Sequence, residues 1–374
     1  MSIEFFWQLP ASGDGRSIHK DSWTRGDHTP PITDRPVFAR TDVRRDGGHT
    51  WYDHLSQVAR AAEITGFDGV LIPQTPAGEE PLIVSGALAR EARRITFLPA
   101  FPAPFLSAVY AAKIAISFQR LTGGRLAWNL ITEEHDEKSW HGHRWSIAEQ
   151  IARTDEFLDV VKGFWNHPPF TYQGKYYEVV DGGFAPALTG PKLPLIYLSG
   201  ETEEALALGA KHADVYFLPL DTLEATRKRI EDLTRRAAER GRSVRFGIQA
   251  DVVARHSSED AWADLRTRWD KATAKTVPIS SSPDNSQGPA KEDFNRLIQG
   301  PNLWAGFGLV RPGTPSGLVG SYEEVAKRIQ EYAEAGISTF ALSANPHLEE
   351  AYRIGEQLLP LVRAQTAEAV SQAS

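Results

Sequence analysis

Short apolar runs alternate with amphipathic segments along most of the chain. Helical spacing of apolar positions predicts helices over 51–65, 82–92, 107–121, 148–165, 202–212, 223–240, 258–274, 322–335 and 348–362. Between them lie short, almost wholly apolar runs, which are typical of strands in a parallel sheet buried on both faces. These runs predict eight strands, over 3–9, 69–73, 95–101, 125–132, 194–198, 214–218, 244–254 and 338–342, with a hairpin over 172–178.

Eight strand-helix units in 374 residues fit a TIM (β/α)8 barrel with loop insertions better than an open doubly wound sheet. The first strand is not followed by Gly-x-Gly-x-x-Gly, which also disfavours a Rossmann domain. We therefore predict an α/β fold with a single barrel domain over 1–374. Chemistry in such a barrel belongs at the C-terminal ends of the strands. The positions there are Gln8, Gln74, Ala100, Asn129, Thr132, Gly200, Gln249, Asp251 and the segment after Leu342.

Three segments depart from the strand-helix pattern. Residues 16–50 are polar and show no clear period, which predicts an extended surface loop. Composition shifts to Ser, Pro, Asn and Gly over 277–301, which favours a mobile lid or a disordered insertion. We expect a disordered tail over 366–374.

Charge and composition narrow the class of protein. With 41 basic and 48 acidic residues the net charge is −7, which argues against a nucleic-acid partner. No apolar run is long enough to span a membrane, and the N-terminus begins with a strand-like run instead of a signal sequence, so we expect a cytoplasmic protein. Cysteine is absent, which excludes disulfides, thiolate metal sites and a cysteine nucleophile.

One stretch near the C-terminus, 302–313, stands out because it is apolar almost throughout yet carries Arg311 beside a Pro-Gly turn. A guanidinium group binds planar oxyanions through two parallel hydrogen bonds, which favours an anionic ligand. The alternative is that Arg311 pairs with a structural carboxylate, because buried arginines are normally paired.

Two other kinds of site are disfavoured. His141 and His143, with Asp136 and Glu137 upstream, are weak evidence for a metal site, and we predict none. The Gly-x-Ser-x-Gly pattern of a hydrolase does not occur.

Several of these motifs resemble a known family. The run Phe6-Trp7-Gln8-Leu9-Pro10, with 69–73 and 125–132, resembles the bacterial luciferase-like flavin monooxygenases. The stretches 301–311 and 346–353 are similar to those of the FMNH2-dependent alkanesulfonate monooxygenases. The likeness covers nearly the whole chain apart from 16–50.

This resemblance implies a TIM barrel in a two-component system. A separate NAD(P)H-dependent FMN reductase would supply reduced FMN. The barrel would use it with O2 to oxygenate and desulfonate an organosulfonate, releasing sulfite and an aldehyde. Members of the family usually form homodimers or homotetramers.

The resemblance also implies a cofactor site. A glycine-containing turn that opens a helix presents free N–H groups to a phosphate, which suits the turn at 200–202. Thr202 could instead cap that helix, and Asn129 could make an ordinary bond to the backbone. The residues implied for FMN are Ala100, Asn129, Thr132, Gly200, Glu201 and Thr202.

For the substrate, the resemblance points to Arg311 as the sulfonate ligand and to His347 as a second ligand or an acid. His347 could equally cap a helix. Trp7 and Gln8 could line the flavin face, although Trp7 is as well suited to the core.

The seventh strand departs from the family pattern. Gln249 and Asp251 stand where an arginine and a histidine are usual, and Asn345 replaces a tyrosine. A carboxylate beside a sulfonate is repulsive. Asp251 could therefore bind hydroxyl groups of a polar substrate, act as a base, or pair with an arginine such as Arg245 or Arg255.

These departures leave other functions open. One is a monooxygenase of the same superfamily that acts on a sulfone, a ketone or a nitrogen compound. Another is an oxidoreductase that uses a deazaflavin, and a third is a flavin-binding protein without catalytic activity.

Overall fold

The computed structural model describes residues 3–11, 13, 51–75, 78–132, 145–273, 291–311 and 313–373. In chain order the strands of this part of the chain are β1 (Glu4–Gln8), β2 (Gly69–Ile72), β3 (Thr96–Pro102), β4 (Ala127–Ile131), β5 (Phe170–Gln173), β6 (Glu178–Gly182), β7 (Leu195–Ser199), β8 (Val215–Pro219), β9 (Arg245–Arg255), β10 (Ile298–Gly300), β11 (Leu303–Trp304), β12 (Gly317–Ser321) and β13 (Ile337–Ser343). The helices are α1 (Trp51–Thr65), α2 (Pro81–Leu88), α3 (Ala108–Thr122), α4 (Ile147–Asn166), α5 (Glu203–His212), α6 (Leu223–Ala238), α7 (Ser258–Thr273), α8 (Phe307–Val310), α9 (Tyr322–Glu334), α10 (His347–Arg353) and α11 (Leu359–Ala373).

Eight parallel strands close into a ring. Hydrogen bonds join β1, β2, β3, β4, β7, β8, β9 and β13 in that order, and β13 pairs with β1 to complete the circle. Each of the eight strands predicted from the apolar runs is a strand of this ring, and helices lie between them in sequence. The predicted TIM barrel is therefore confirmed.

Side chains along each barrel strand point alternately into the barrel and toward the helices. The inward-pointing side chains fill the barrel interior. The inward-facing residues form one apolar cluster of Phe6, Leu71, Leu98, Ala127, Tyr197, Val215, Phe217 and Ala341. Residues between them on the strands face the helices and build a larger core there. Each buried Phe or Leu side chain stabilises the fold by about 1.5–3 kcal/mol.

Side-chain caps fix where several helices start. Ser107, Ser146, Thr202, Thr222 and Ser321 each precede a helix, and each side-chain oxygen accepts a backbone N–H from the first turn. These caps determine where the chain turns back along the outside of the barrel.

Residues 291–321, which we call the annex, follow the seventh barrel strand in sequence and precede the eighth. They extend the sheet outside the ring. The first half of β9 pairs with β8, whereas its second half pairs in parallel with β12, from Asp251 opposite Gly317 to Arg255 opposite Ser321. Strands β11 and β10 then continue antiparallel from β12.

The annex includes the C-terminal part of the segment that we predicted as a mobile lid, 277–301, and the lid itself stays a prediction. Residues 277–290 of that lid lie outside the described residues. Residues Lys291–Leu297 form a 3-10 helix that leads into β10. Rings of Trp269, Phe294, Trp304 and Phe307 pack this part of the annex against α7.

Helices α10 and α11 form the C-terminal part of the described chain. Helix α10 passes through one π-helical turn at Ile354–Leu358 into α11, which ends at Ala373, and the disordered tail over 366–374 stays a prediction. The predicted loop over 16–50 lies outside the described residues. In the described part of the chain, no helix has the length and apolarity needed to cross a membrane.

Candidate active site

A cavity of about 290 Å³ opens at the C-terminal ends of the barrel strands. Its lining lies one layer above the apolar cluster of the barrel interior: Gln8 follows Phe6 by two residues, and Asn129 follows Ala127 by two. Such residues point to the same face of a strand. The lining consists of Gln8, Leu71, Pro73, Gln74, Ala100, Asn129, Ile131, Thr132, Ser199, Gly200 and Gln249.

Four carboxamide side chains face this cavity without hydrogen-bond partners in the described part of the chain. They belong to Gln8 on β1, Gln74 after β2, Asn129 on β4 and Gln249 on β9. Asn129 has only 7% of its surface exposed. Polar groups that are buried to this degree are normally hydrogen-bonded. These groups are therefore placed to bind a ligand, and the alternative that Asn129 bonds the backbone does not hold.

The turn before α5 forms another side of the cavity. Gly200 has φ +132°, a conformation that favours glycine. Its carbonyl oxygen accepts the Tyr216 hydroxyl at 2.9 Å, and the Thr132 hydroxyl donates to the Ser199 carbonyl oxygen at 3.0 Å. The backbone of this turn is thus held from two neighbouring strands.

The predicted cofactor residues divide into two groups. Ala100, Asn129, Thr132 and Gly200 line the cavity. Glu201 and Thr202 are exposed and do not line it. Thr202 caps α5 by accepting the Ala205 N–H at 3.2 Å, so the alternative role considered for it holds.

Arg311 and Asp251 form a buried ion pair. The Arg311 side chain is 4% exposed and that of Asp251 is 1% exposed. The guanidinium group also donates to the Ser343 hydroxyl at 2.6 Å, and the Thr314 hydroxyl donates to the other oxygen of Asp251 at 2.9 Å. Arg311 therefore pairs with a carboxylate, which was the alternative to an anionic ligand.

The arginines that we suggested as partners of Asp251 are paired elsewhere. Arg245 lies 3.1 Å from the Glu4 carboxylate. Arg255 bonds Glu350 and Asp264. Sequence could not select Arg311 as the partner because 60 residues separate it from Asp251.

Two predicted substrate residues lie on the other side of the sheet. Trp7 is fully buried in the core between barrel and helices, where its ring centroid lies 5.2 Å from that of Phe67. His347 meets the edge of Trp7 at 6.5 Å, and its Nδ1 lies 3.4 Å from the Asn345 amide nitrogen. Trp7, Asn345 and His347 do not line the cavity. Strand alternation explains Trp7: its neighbour Gln8 points inward, so Trp7 points outward.

Two groups of residues could be considered for binding a metal ion. His141 and His143 lie outside the described residues. Among those described, Asp155, Asp159 and His212 come together. The Lys211 amine lies 2.8 Å from each of the two carboxylates, and His212 Nε2 lies 2.7 Å from Asp155. This cluster is an ion-pair network whose cation is a lysine.

Sequence reasoning missed four lining residues: Leu71, Pro73, Ile131 and Ser199. Leu71 and Pro73 follow the inward alternation of β2, and Ser199 is the last residue of β7. The signal that could have found them is the two-residue repeat counted forward from each inward-facing apolar side chain.

Comparisons with known proteins agree with this architecture. A family model described as "Luciferase-like monooxygenase" matches residues 34–339. A long-chain alkane monooxygenase (LadA) has a similar structure, with a TM-score of 0.71, 17% identity, and coverage of 98% of this chain and 92% of that one. A riboflavin lyase (RcaE) with modified FMN and riboflavin has a TM-score of 0.69 and 16% identity, over 98% and 92% of the two chains. An F420-dependent secondary alcohol dehydrogenase has a TM-score of 0.64 and 16% identity, over 97% and 99%. At these identities the structures establish a shared fold.

Proposed function

Because the chain belongs to the luciferase-like monooxygenase family, we propose that it is the oxygenating component of a two-component flavin-dependent monooxygenase. A separate NAD(P)H-dependent FMN reductase would supply reduced FMN, and O2 would be the second substrate. The observation that carries this proposal is the cavity at the barrel mouth with the unpartnered carboxamides of Gln8, Asn129 and Gln249.

The residues around the cavity fit a flavin. A carboxamide both donates and accepts hydrogen bonds, which suits the alternating carbonyl and N–H groups along one edge of the flavin ring. Leu71 below and Ala100 beside the cavity supply apolar surface for a flat ring. The Gly200 turn and the backbone N–H of Glu201 would face the phosphate at the start of α5. When bound, reduced FMN supplies the O2 activation, which protein side chains do not provide.

The protein itself would orient the cofactor, exclude water and contact the substrate. Gln8, Asn129 and Gln249 would orient the cofactor, and the closed floor of the barrel excludes water from below. Gln249, on the strand next to β13, is the lining residue nearest in sequence to Asp251 and would also contact the substrate.

The residues above the cavity lining support two alternative substrate classes. The family resemblance supports an organosulfonate, with Arg311 as its ligand and sulfite and an aldehyde as products. The pairing of Arg311 with Asp251 favours a second class, an uncharged sulfone, ketone or nitrogen compound.

Flavin binding and oxygen consumption test the proposal. The full chain is titrated without oxygen with reduced FMN, oxidised FMN and a reduced F420 deazaflavin. Substrate-dependent O2 uptake is then measured with FMN, NADH and an unrelated FMN reductase, together with sulfite release. We expect tight binding of reduced FMN and O2 uptake beyond flavin oxidation alone.

Other outcomes would identify the alternatives. Preference for the deazaflavin would contradict the proposed cofactor and support a hydride-transferring oxidoreductase. Tight flavin binding without substrate-dependent O2 uptake, over a panel of sulfonates, sulfones, ketones and amines, would support a flavin-binding protein. Sulfite among the products would identify desulfonation.

A further inference from the structure

The Asp251–Arg311 pair leaves neither charge uncompensated. The Asp251 carboxylate contacts Arg311 through one oxygen and the Thr314 hydroxyl through the other, and Arg311 also reaches the Ser343 hydroxyl. Both side chains are more than nine-tenths buried. Two opposite charges held in contact present nearly zero net charge to a third molecule.

This pair lies at the rim of the cavity. Asp251 follows Gln249 by two residues on β9, so the two side chains point to the same face, and Gln249 lines the cavity. Ser343 is the register partner of Asp251 at the end of β13. The pair therefore occupies the layer above the cavity where β9 and β13 end.

The annex holds the pair in place. Gly317 lies opposite Asp251 in the β9–β12 ladder, and a Cβ atom at this position would come within 2.5 Å of the Asp251 carbonyl oxygen. The Asp251 N–H donates to the Ser316 carbonyl oxygen at 3.2 Å. This close packing fixes the carboxylate in front of the guanidinium group.

The described lining of the cavity adds no charge. It consists of amide, hydroxyl and apolar groups. An anion that approached Arg311 would meet the Asp251 carboxylate, and displacing that carboxylate would leave it buried without its partner, which is strongly unfavourable. An uncharged ligand with an acceptor oxygen carries no such cost.

We propose that Asp251 determines substrate specificity by neutralising Arg311, so that this enzyme takes an uncharged polar substrate, such as a sulfone or a ketone, and rejects sulfonates. This inference rests on the proposed flavin-dependent monooxygenase function and deepens it. Asp251 acts here through Arg311 and is not assigned a role in proton transfer.

The test compares two probes of matched shape, pentanesulfonate and methyl pentyl sulfone. Their dissociation constants are measured by calorimetry on the full chain, and kcat/KM is measured for each with reduced FMN. We expect the wild type to prefer the sulfone by at least about tenfold. Asp251→Asn keeps the shape but removes the negative charge, and should shift this preference toward the sulfonate by at least about tenfold.

Two further variants separate charge from structure. Thr314→Val removes one hydrogen bond to Asp251 without changing its charge, and should leave the ratio of the two dissociation constants within about twofold. The double variant Asp251→Asn with Arg311→Gln restores zero net charge, and should keep the preference for the sulfone. It also covers the case in which Asp251→Asn alone does not fold.

Reduced FMN is titrated into every variant first, so that the two proposals fail separately. If the wild type does not bind reduced FMN, the proposed function is contradicted. If reduced FMN binds, but the wild type binds the sulfonate as tightly as the sulfone or Asp251→Asn leaves the ratio unchanged, the role of Asp251 is contradicted.

Discussion

At the scale of single residues, the direction of a strand side chain decides which part of the molecule it serves. Trp7 and Gln8 are neighbours on β1, yet Trp7 packs in the outer core and Gln8 lines the cavity. Asn129 also points into the barrel, because it lies two residues after inward-facing Ala127 on β4, and it lines the cavity. The role of a single polar residue at a strand end in ligand binding can therefore be tested by one substitution.

We expect Asn129→Leu to weaken the binding of reduced FMN by about tenfold. The change keeps the side-chain size but removes a hydrogen bond in a buried site, which is worth roughly 0.5–1.5 kcal/mol. Anaerobic fluorescence titration measures the effect. Gln330→Leu is the control, because its carboxamide bonds Glu334 and Thr366 on helices α9 and α11 and does not line the cavity. Equal affinities in both variants would contradict a cofactor contact at Asn129.

Residue type and strand position were enough to find Gln8, Ala100, Asn129, Thr132, Gly200 and Gln249 as cavity residues. They were not enough for Trp7 or His347, since a motif match does not tell on which face of the sheet a side chain lies. The ion pair of Arg311 depends on a contact between distant parts of the chain, which no local pattern encodes. Sequence therefore supplied the candidates, and only the fold supplied their partners.

At the scale of elements, the regular barrel was predictable and the annex was not. Barrel strands such as β2 and β3 are almost wholly apolar because both of their faces are buried. By contrast, β12 reads Gly-Leu-Val-Gly-Ser, and β11 has only two residues, so neither gives a distinct period. The second half of β9 pairs with β12 and draws this weak strand into the sheet. Tertiary pairing here decides the structure over local propensity.

Helices α4 and α5 are joined by the ion-pair cluster, which predicts a pH dependence. Burial alone would raise the pKa of Asp155, but hydrogen bonds from His212 and Lys211 outweigh it and lower this pKa to about 2. A carboxyl group with a depressed pKa stabilises the fold above its unfolded pKa, near 4, and this contribution is lost as the pH falls from about 4 to about 2. Asp155 is 39% exposed, so solvent screening limits the contribution to about 1 kcal/mol.

We therefore expect Asp155→Asn to lower the free energy of unfolding by about 1 kcal/mol at pH 7, with the difference from wild type vanishing near pH 2. Urea unfolding at pH 7, 4 and 2 measures it. Asp159→Asn is the control, because Asp159 lies 3.7 Å from the His212 nitrogen and leaves the 2.7 Å bond to Asp155 intact. A difference for Asp155→Asn that persists unchanged at pH 2 would rule out this linkage.

At the scale of the whole molecule, one buried carboxylate connects three layers. Glu350 on α10 is 1% exposed and receives both nitrogens of Arg255, the last residue of β9, at 3.1 and 3.2 Å. Arg255 also bonds Asp264 on α7, the helix that carries the annex. Burial raises the pKa of Glu350, although Arg255 and Arg353 lower it. Strand β9, helix α7 and helix α10 are therefore coupled through a single charge network.

Glu350→Gln tests whether this network joins the barrel and the annex into one cooperative unit. Removing one partner of a buried ion pair costs about 3–5 kcal/mol, and Asp264 remains to compensate Arg255, so we expect a loss of about 2–3 kcal/mol in the free energy of unfolding. The control is Glu331→Gln, which removes a more exposed pair with Arg328 on α9 and should cost less than about 1 kcal/mol. Far-ultraviolet circular dichroism follows the whole chain, and hydrogen exchange of the β11 and β12 backbone amides during the same denaturant titration follows the annex. Coincident transitions that shift together in Glu350→Gln would indicate one cooperative unit, because the charge network contacts both regions. Transitions that separate in the wild type would show that the annex unfolds independently of the barrel, and equal losses in the two variants would show that the Glu350 network contributes no more than the more exposed Glu331–Arg328 pair.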